Sequence, residues 1–434
     1  MKGYGKISTE RKAIVVDSIM GSGKTSWAIQ TMNEHPDRSF IYITPLLTEV
    51  RRIKESTSIH ICEPKNTGQG KLASLHELLA SGENIVSTHS LFCRISEETR
   101  QLIRRGNYTL ILDEVMDVVN IYDGLKCDDI KLLFEKELVT LDENNFLVWN
   151  DASDYPESKY SDVQHLAQNK SLVLMDNSIL LWNFPVSVFE LFEQIYILTY
   201  QFNGQYMRAY YDLNHVKYEY KSVSKIDGRY SLVDYEPELE DRAVYWSLIN
   251  ILENDALNCI GDKRTAFSKS WFDRKKKTDK VSLDLAKNNL TNYFKHKVHA
   301  TSGTIAWSSY KSYRRILSAP GRIYTRKLTA DEIKLKGSGS ESIRKLECFV
   351  PCNSRATNIY SDRYNLAYLV NLFPNPLIQK YFSSNKAFVD DDQYALCEML
   401  QWIWRSRVRN MEQINIYIPS ERMRELLRNW IASK

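Results

Sequence analysis

The apolar run "AIVV" (13–16) leads into "DSIMGSGKTSWA" (17–28), a stretch broken by glycines that continues into helix-forming residues. A strand that ends in a loop of small residues and then opens a helix leaves the chain few alternatives. The loop N–H groups and the positive end of the helix converge on one point, which suits an anion and above all a phosphate. Gly21 and Gly23 let the backbone approach closely, Lys24 reaches toward β- and γ-phosphates, and Thr25 offers a hydroxyl to a magnesium ion. Ser18 and Ser22 complete the loop, with Ser18 standing where a first glycine is usual. The expected ligands are a nucleoside triphosphate and Mg2+.

A phosphate loop needs an acidic partner on a neighbouring strand. "TLILDEVMD" (109–117) supplies one: Asp113 ends an apolar strand and suits the magnesium shell, and Glu114 suits orientation or deprotonation of an attacking water. Around these two motifs, strand-like runs at 12–18, 39–45, 83–89, 108–114 and 194–200 alternate with helical stretches. That alternation predicts an α/β fold with a mostly parallel sheet. The segment 118–193 reads as an insertion, and 206–235, aromatic and charged, as a connector or a small extra sheet. "RAVYWSLINILEN" (242–254), "DDDQYALCEMLQWIWRSRVRN" (390–410) and "ERMRELLRNWIAS" (421–433) read as helices, with "INIYIPS" (414–420) a strand between the last two.

With 434 residues the chain exceeds one ordinary core, so two domains of roughly 200 residues each are expected, 1–205 and 206–434. No apolar run approaches the roughly 20 residues needed to span a bilayer, and "MKGYGKISTERK" has no signal-peptide pattern, which predicts a cytoplasmic protein without a membrane partner. Seven scattered cysteines argue for reduced thiols, and Cys348 and Cys352 read as packing residues. The net charge of +4 permits a nucleic-acid partner without requiring one.

Further stretches follow in an order that resembles the superfamily 2 (DEAD/DEAH-like) helicases, in particular those encoded by bacterial viruses. "ITPLLTEV" (43–50) and "VSTHSLF" (86–92) resemble the family's strand-contacting motifs, "ILDEVMD" its acidic box, and "YILTYQF" (196–202) the motif that links nucleotide state to domain movement. "NSRATNIYSDRYNLAYLVN" (353–371) resembles the motif that couples nucleic-acid contact to the ATP site, and "QWIWRSRVRN" (401–410) the arginine-finger motif. Ser18 matches the looser phosphate loop of such helicases.

The resemblance implies two RecA-like P-loop domains in tandem, with insertions, ATP in a cleft between them and a single strand crossing both. It implies a helicase or translocase acting on single-stranded or forked DNA in phage replication or recombination, in the host cytoplasm. RNA stays open as a track and replication proteins as partners. The resemblance puts both halves of the catalytic cleft in one chain, so a monomer is expected to be able to function, and an oligomer stays open. Carried over by position, Thr44, Pro45, Thr88, His89, Arg355, Thr357 and Asn358 contact the strand, Thr199 couples, and Gln401 and Arg405 serve the transition state. Helical geometry adds Arg409, because 401, 405 and 409 share one face of a continuous helix while Arg407 points away. Two other readings stay open: a packaging-terminase motor, which would need a nuclease with clustered carboxylates, and a nucleotide-switched ATPase that loads or remodels proteins. "FVDDDQ" (388–393), the late acidic cluster, reads as a helix cap rather than a nuclease centre.

Overall fold

The computed structural model describes residues 12–66, 68–150, 160–253, 255–318, 325–327, 345–352 and 359–433. They fall into two compact units, Met1–Tyr235 with Pro374–Val389, and Glu236–Phe373 with Asp390–Lys434.

In the first unit, β1 (Ala13–Asp17), β2 (Ser39–Thr44), β3 (Ile85–Thr88) and β4 (Tyr108–Asp113) alternate with helices. The chain then leaves the sheet. β5 (Val119–Ile121), β6 (Val139–Leu141), β7 (Leu147–Trp149), β8 (Leu172–Met175) and β9 (Ile179–Asn183) make an antiparallel sheet of order β5-β9-β8 and a β6–β7 hairpin. This insertion has its own core, in which Leu133, Leu147, Trp149, Val163 and Leu172 are buried. It returns through β10 (Gln194–Thr199), followed by β11 (Tyr218–Ile226) and β12 (Arg229–Asp234).

The main sheet has the order β12-β11-β1-β10-β4-β2-β3 and is parallel except for the β11–β12 pair. The late strand β10 thus slots between β1 and β4. Residues 218–234 are neither a connector nor a separate sheet: they widen the main one. Asp227 and Gly228, at φ +50° and +84°, make the tight turn between β11 and β12, a geometry whose twist matches an antiparallel pair.

Helix α1 (Lys24–Glu34) lies on this sheet because Trp27, Ala28 and Met32 form an apolar stripe. The stripe meets Val16, Tyr42, Ile111 and Leu198 in one core, and Trp27 packs edge-on against Tyr196 at 5.0 Å. Met32, fully buried, contributes about 1.5–3 kcal/mol to holding the helix on the sheet.

In the second unit, β13 (Ile249–Ile251), β14 (Ile305–Ser308), β17 (Asn365–Tyr368) and β18 (Ile414–Tyr417) form a parallel sheet of order β13-β18-β17-β14. β15 (Thr325–Lys327) and β16 (Lys345–Glu347) form a separate antiparallel pair. The expected helix 242–254 is only one turn long, Val244–Leu248, because Ile249–Ile251 is taken up as an edge strand beside β18. Asp390 accepts hydrogen bonds from the N–H groups of Asp392 and Gln393 (2.9 and 2.8 Å), so the late acidic cluster does cap the helix Asp391–Ile403.

The helix Pro376–Ser384 belongs to the first unit although its neighbours in sequence belong to the second. The Asn183 amide donates to the Tyr381 hydroxyl at 2.6 Å, the Asn375 N–H donates to the Tyr206 hydroxyl at 2.7 Å, and Lys380 pairs with Asp176 at 2.6 Å. Among the described residues no helix is long and apolar enough to cross a membrane.

Candidate active site

β1, β10 and β4 are parallel neighbours, so their carboxyl ends stand side by side, the position where open α/β sheets bind ligands. The loop after β1 turns through Gly21 and Gly23 at φ +88° and +103°, values that favour glycine. At Gly23 a side chain is doubly barred, since a Cβ would lie 2.1 Å from a ring carbon of Tyr230 on β12. Lys24, the first residue of α1, is buried, and its ammonium donates to the carbonyls of Ser18 and Ile19, the latter at 3.0 Å. The cation is therefore held inside the loop by weak partners that a phosphate can replace.

Ser18 explains its own departure from glycine. Its hydroxyl accepts from the Val223 N–H of β11 at 2.9 Å, and its own N–H donates to the Thr199 carbonyl at 3.1 Å. Loss of that hydroxyl would leave a buried N–H unsatisfied, at a cost of about 1–3 kcal/mol. Asp17 anchors the other side: its carboxylate accepts from the N–H groups of Gln201 and Phe202 at 2.8 and 2.9 Å. Thr199 is fully buried between these groups, its hydroxyl accepting from the Gln205 amide at 2.9 Å.

Asp113 ends β4, and Glu114 follows in the left-handed region at φ +69°, with its N–H on the Leu198 carbonyl at 2.9 Å. Holding a non-glycine residue there costs on the order of 1–3 kcal/mol and marks a position where direction matters. Glu114 Oε2 and Ser22 Oγ are enclosed without a hydrogen-bond partner among the described residues. The Tyr42 hydroxyl of β2 donates to Asp113 Oδ2 at 2.8 Å and lies beside Thr25. Glycines that admit a close ligand, a cation held by loop carbonyls and two orphaned oxygens fit a nucleotide phosphate with Mg2+, and Thr25 and Asp113 are the residues that could hold the metal.

Burial, and then the neighbouring Glu114 carboxylate, push Asp113 up from 3.8 to about 6, against the opposing Tyr42 hydrogen bond and Arg52. A carboxyl raised on folding gives its full contribution to stability below the unfolded value, and that contribution is lost as pH rises through about 6. With Mg2+ withheld, Asp113→Asn is therefore expected to be more stable than wild type at pH 7.5, by on the order of 1 kcal/mol, with the gap closing toward pH 4. Urea unfolding at a series of pH values measures this; a gap independent of pH would contradict it.

Ser18, Gly21, Ser22, Gly23, Lys24, Thr25, Asp113, Glu114 and Thr199 are thus brought together. Thr44, Pro45, Thr88 and His89 lie at the carboxyl ends of β2 and β3, on the same edge of the sheet. Thr44 is fully buried, with its hydroxyl turned inward, whereas Thr88 bonds the Ser90 hydroxyl at 3.1 Å.

The second unit holds the remaining candidates. Gln401 is buried in the helix Asp391–Ile403, its amide on Cys397 Sγ at 3.6 Å. That helix stops at Ile403, so the shared face expected for 401, 405 and 409 does not exist. Arg405 is buried beyond the helix end, and Arg409 is exposed in the 3-10 turn Arg407–Asn410. Arg407 lies over the Tyr364 ring at 4.0 Å. Arg355, Thr357 and Asn358 lie outside the described residues.

Asp17, Tyr42 and Gln205 escaped the sequence reading. Asp17 carried a signal, an acid closing an apolar strand before a glycine loop. Tyr42 and Gln205 carried none, because their roles come from strand neighbours distant in sequence.

Residues 243–431 match the family model of the YonV C-terminal Rossmann-like domain, and residues 119–182 that of the YonV middle domain. The chain is 41% identical to the "SPbeta prophage-derived uncharacterized protein YonV" of Bacillus subtilis (strain 168), across 97% of this chain and 98% of the relative. It belongs to the YonV family.

Among solved structures, "XPD_APO" superposes on this YonV-family chain with a TM-score of 0.51 at 12% identity, covering 96% of this chain and 95% of that one. "Structure of S. tokodaii Xpd4" gives 0.50 at 11% identity, covering 96% and 94%. A third, "XPD_Helicase", gives 0.48 at 11% identity, covering 96% and 94%. At such identities the likeness concerns the fold, which is two RecA-like domains in tandem with insertions, as expected from the sequence. The insertion β5–β9 of this YonV-family chain contains the middle-domain match.

Proposed function

We propose that this chain is an ATP-dependent nucleic-acid helicase or translocase of phage origin, acting on DNA in replication or recombination. The observation that carries the reading is the placement of β10, which sets the Lys24 loop and the Asp113–Glu114 pair on either side of Thr199. The motif order and the prophage origin of the relative support it.

In this reading the glycine loop and Lys24 hold the β- and γ-phosphates, and Thr25 and Asp113 hold Mg2+. The ion, when bound, neutralises charge on the transferring phosphoryl group. Glu114 orients the attacking water and accepts its proton. Tyr42 fixes the Asp113 carboxylate. Thr199, bonded to Gln205 and through its carbonyl to Ser18, reports the state of the loop along β10. Arg405 is proposed to stabilise the charge that develops in the transition state.

Steady-state ATP hydrolysis tests this, measured alone and with single-stranded DNA, duplex DNA and single-stranded RNA at one fixed salt concentration, because backbone binding is salt-dependent. Stimulation of at least tenfold by one single strand, with turnover falling by about 10³-fold in Arg405→Ala, is expected. Hydrolysis indifferent to every nucleic acid would overturn the motor and favour a protein-remodelling ATPase.

A further inference from the structure

We propose that His60, Cys62 and Glu83 form a Zn2+ site on the first unit, remote from the phosphate loop. The Cys62 Sγ and His60 Nε2 atoms are 3.2 Å apart, His60 Nε2 and Glu83 Oε2 are 3.7 Å apart, and all three donors lie within 4.8 Å of one another. Tetrahedral Zn2+ with ordinary bonds to sulfur, nitrogen and oxygen sets its ligand atoms about 3.4–3.6 Å apart. The observed spacings need only small rotamer adjustments to reach that geometry.

The backbone beneath these donors is already fixed. Cys62 is bridged to β3, with its N–H on the Asn84 carbonyl at 2.8 Å and its carbonyl taking the Val86 N–H at 2.9 Å. The Asn84 amide donates to the His60 carbonyl at 3.0 Å, while its oxygen takes the Phe40 N–H at 2.8 Å. The Tyr108 hydroxyl donates to the Glu83 carbonyl at 3.0 Å. His60 and Cys62 flank the buried Ile61, and their side chains meet on one side of the chain. Ordering entropy, the usual obstacle to an exposed metal site, is thereby reduced.

The donor set selects the ion. One thiolate, one imidazole and one carboxylate suit a borderline-soft cation, whereas Mg2+ and Ca2+ prefer oxygen alone. A single thiolate is too few for an iron–sulfur cluster. Three protein ligands leave a fourth position to water, as in open zinc sites. The cluster lies at the amino end of β3, since Glu83 precedes Ile85. Thr25, Asp113 and the glycine loop lie at the carboxyl ends of parallel strands in the same sheet, so the two sites occupy opposite edges. Bound there, Zn2+ would staple the segment before the helix Lys71–Ala80 to the sheet edge.

The full chain, stripped with a chelator and exchanged into clean buffer, is titrated with Zn2+ in competition with a chromophoric chelator, and with Co2+ as a spectroscopic probe. One tight equivalent per chain is expected, with a thiolate-to-cobalt charge-transfer band. Cys62→Ser, His60→Gln and Glu83→Gln should each weaken Zn2+ by at least about tenfold, the lower bound seen even for outer-shell losses. Cys62→Ser should also abolish the cobalt band, whereas Cys127→Ser, which removes an exposed thiol elsewhere, should change neither readout. Circular dichroism establishes that each variant is folded. Zn2+ bound as tightly by Cys62→Ser as by wild type, or no tight equivalent in the wild-type chain, would overturn the site.

Discussion

Lys24→Ala lowers ATP turnover by about 10²–10³-fold, the loss expected when one preorganised charge aimed at the transferring group is removed. The expectation rests on where the ammonium is already held. In the folded chain Lys24 is buried and donates to the carbonyls of Ser18 and Ile19, so it stands inside the loop and needs no large movement to meet phosphate oxygens. Alanine keeps the helix start, because Lys24 sits in the first turn of α1 and the apolar stripe is untouched. Far-ultraviolet circular dichroism should therefore be unchanged. Phosphate release under single-turnover conditions is the measurement, and turnover within threefold of wild type would remove Lys24 from the mechanism.

Glu114→Gln should separate binding from chemistry. A positioned general base contributes about 10²–10⁴-fold, so turnover falls by that range while nucleotide affinity holds. The amide is nearly the same size and keeps the left-handed turn at φ +69°, so what is lost is the proton acceptor and the negative charge. Loss of that charge also relieves Asp113, which Glu114 helps to push up to about 6. Equilibrium binding of a fluorescent ATP analogue, set beside single-turnover hydrolysis, distinguishes the outcomes. Equal losses in binding and hydrolysis would make Glu114 a structural residue rather than a base.

The parts of the site that sequence reveals are those built within one strand and its following turn. The Lys24 loop and the Asp113–Glu114 pair each close an apolar run, and local pattern suffices for both. What decides that they meet is β10, which enters between β1 and β4 after an insertion with its own core. Pairing of that kind leaves no local trace. The same physics accounts for Ile249–Ile251: its neighbours read as helix, yet a parallel partner at Ile414–Ile416 takes it into the sheet. The continuous helix expected through Arg409 fails for a different reason, because Ser406 caps the new turn by accepting from the Val408 N–H at 3.5 Å. The β11–β12 pair does leave a local trace, since alternating residues flank an Asp-Gly turn. His60 and Glu83 meet only through the bridge between Cys62 and β3, which spacing does not announce.

The helix Pro376–Ser384, seated on the first unit by Tyr206 and Asn183, has a genetic corollary. A gene fragment stopping at codon 235 would encode a first unit without this helix, and its complement would carry the helix without the Tyr206 and Asn183 partners that seat it. Inheritance by recombination at a single junction between the units should therefore be selected against, and the chain should pass between genomes whole.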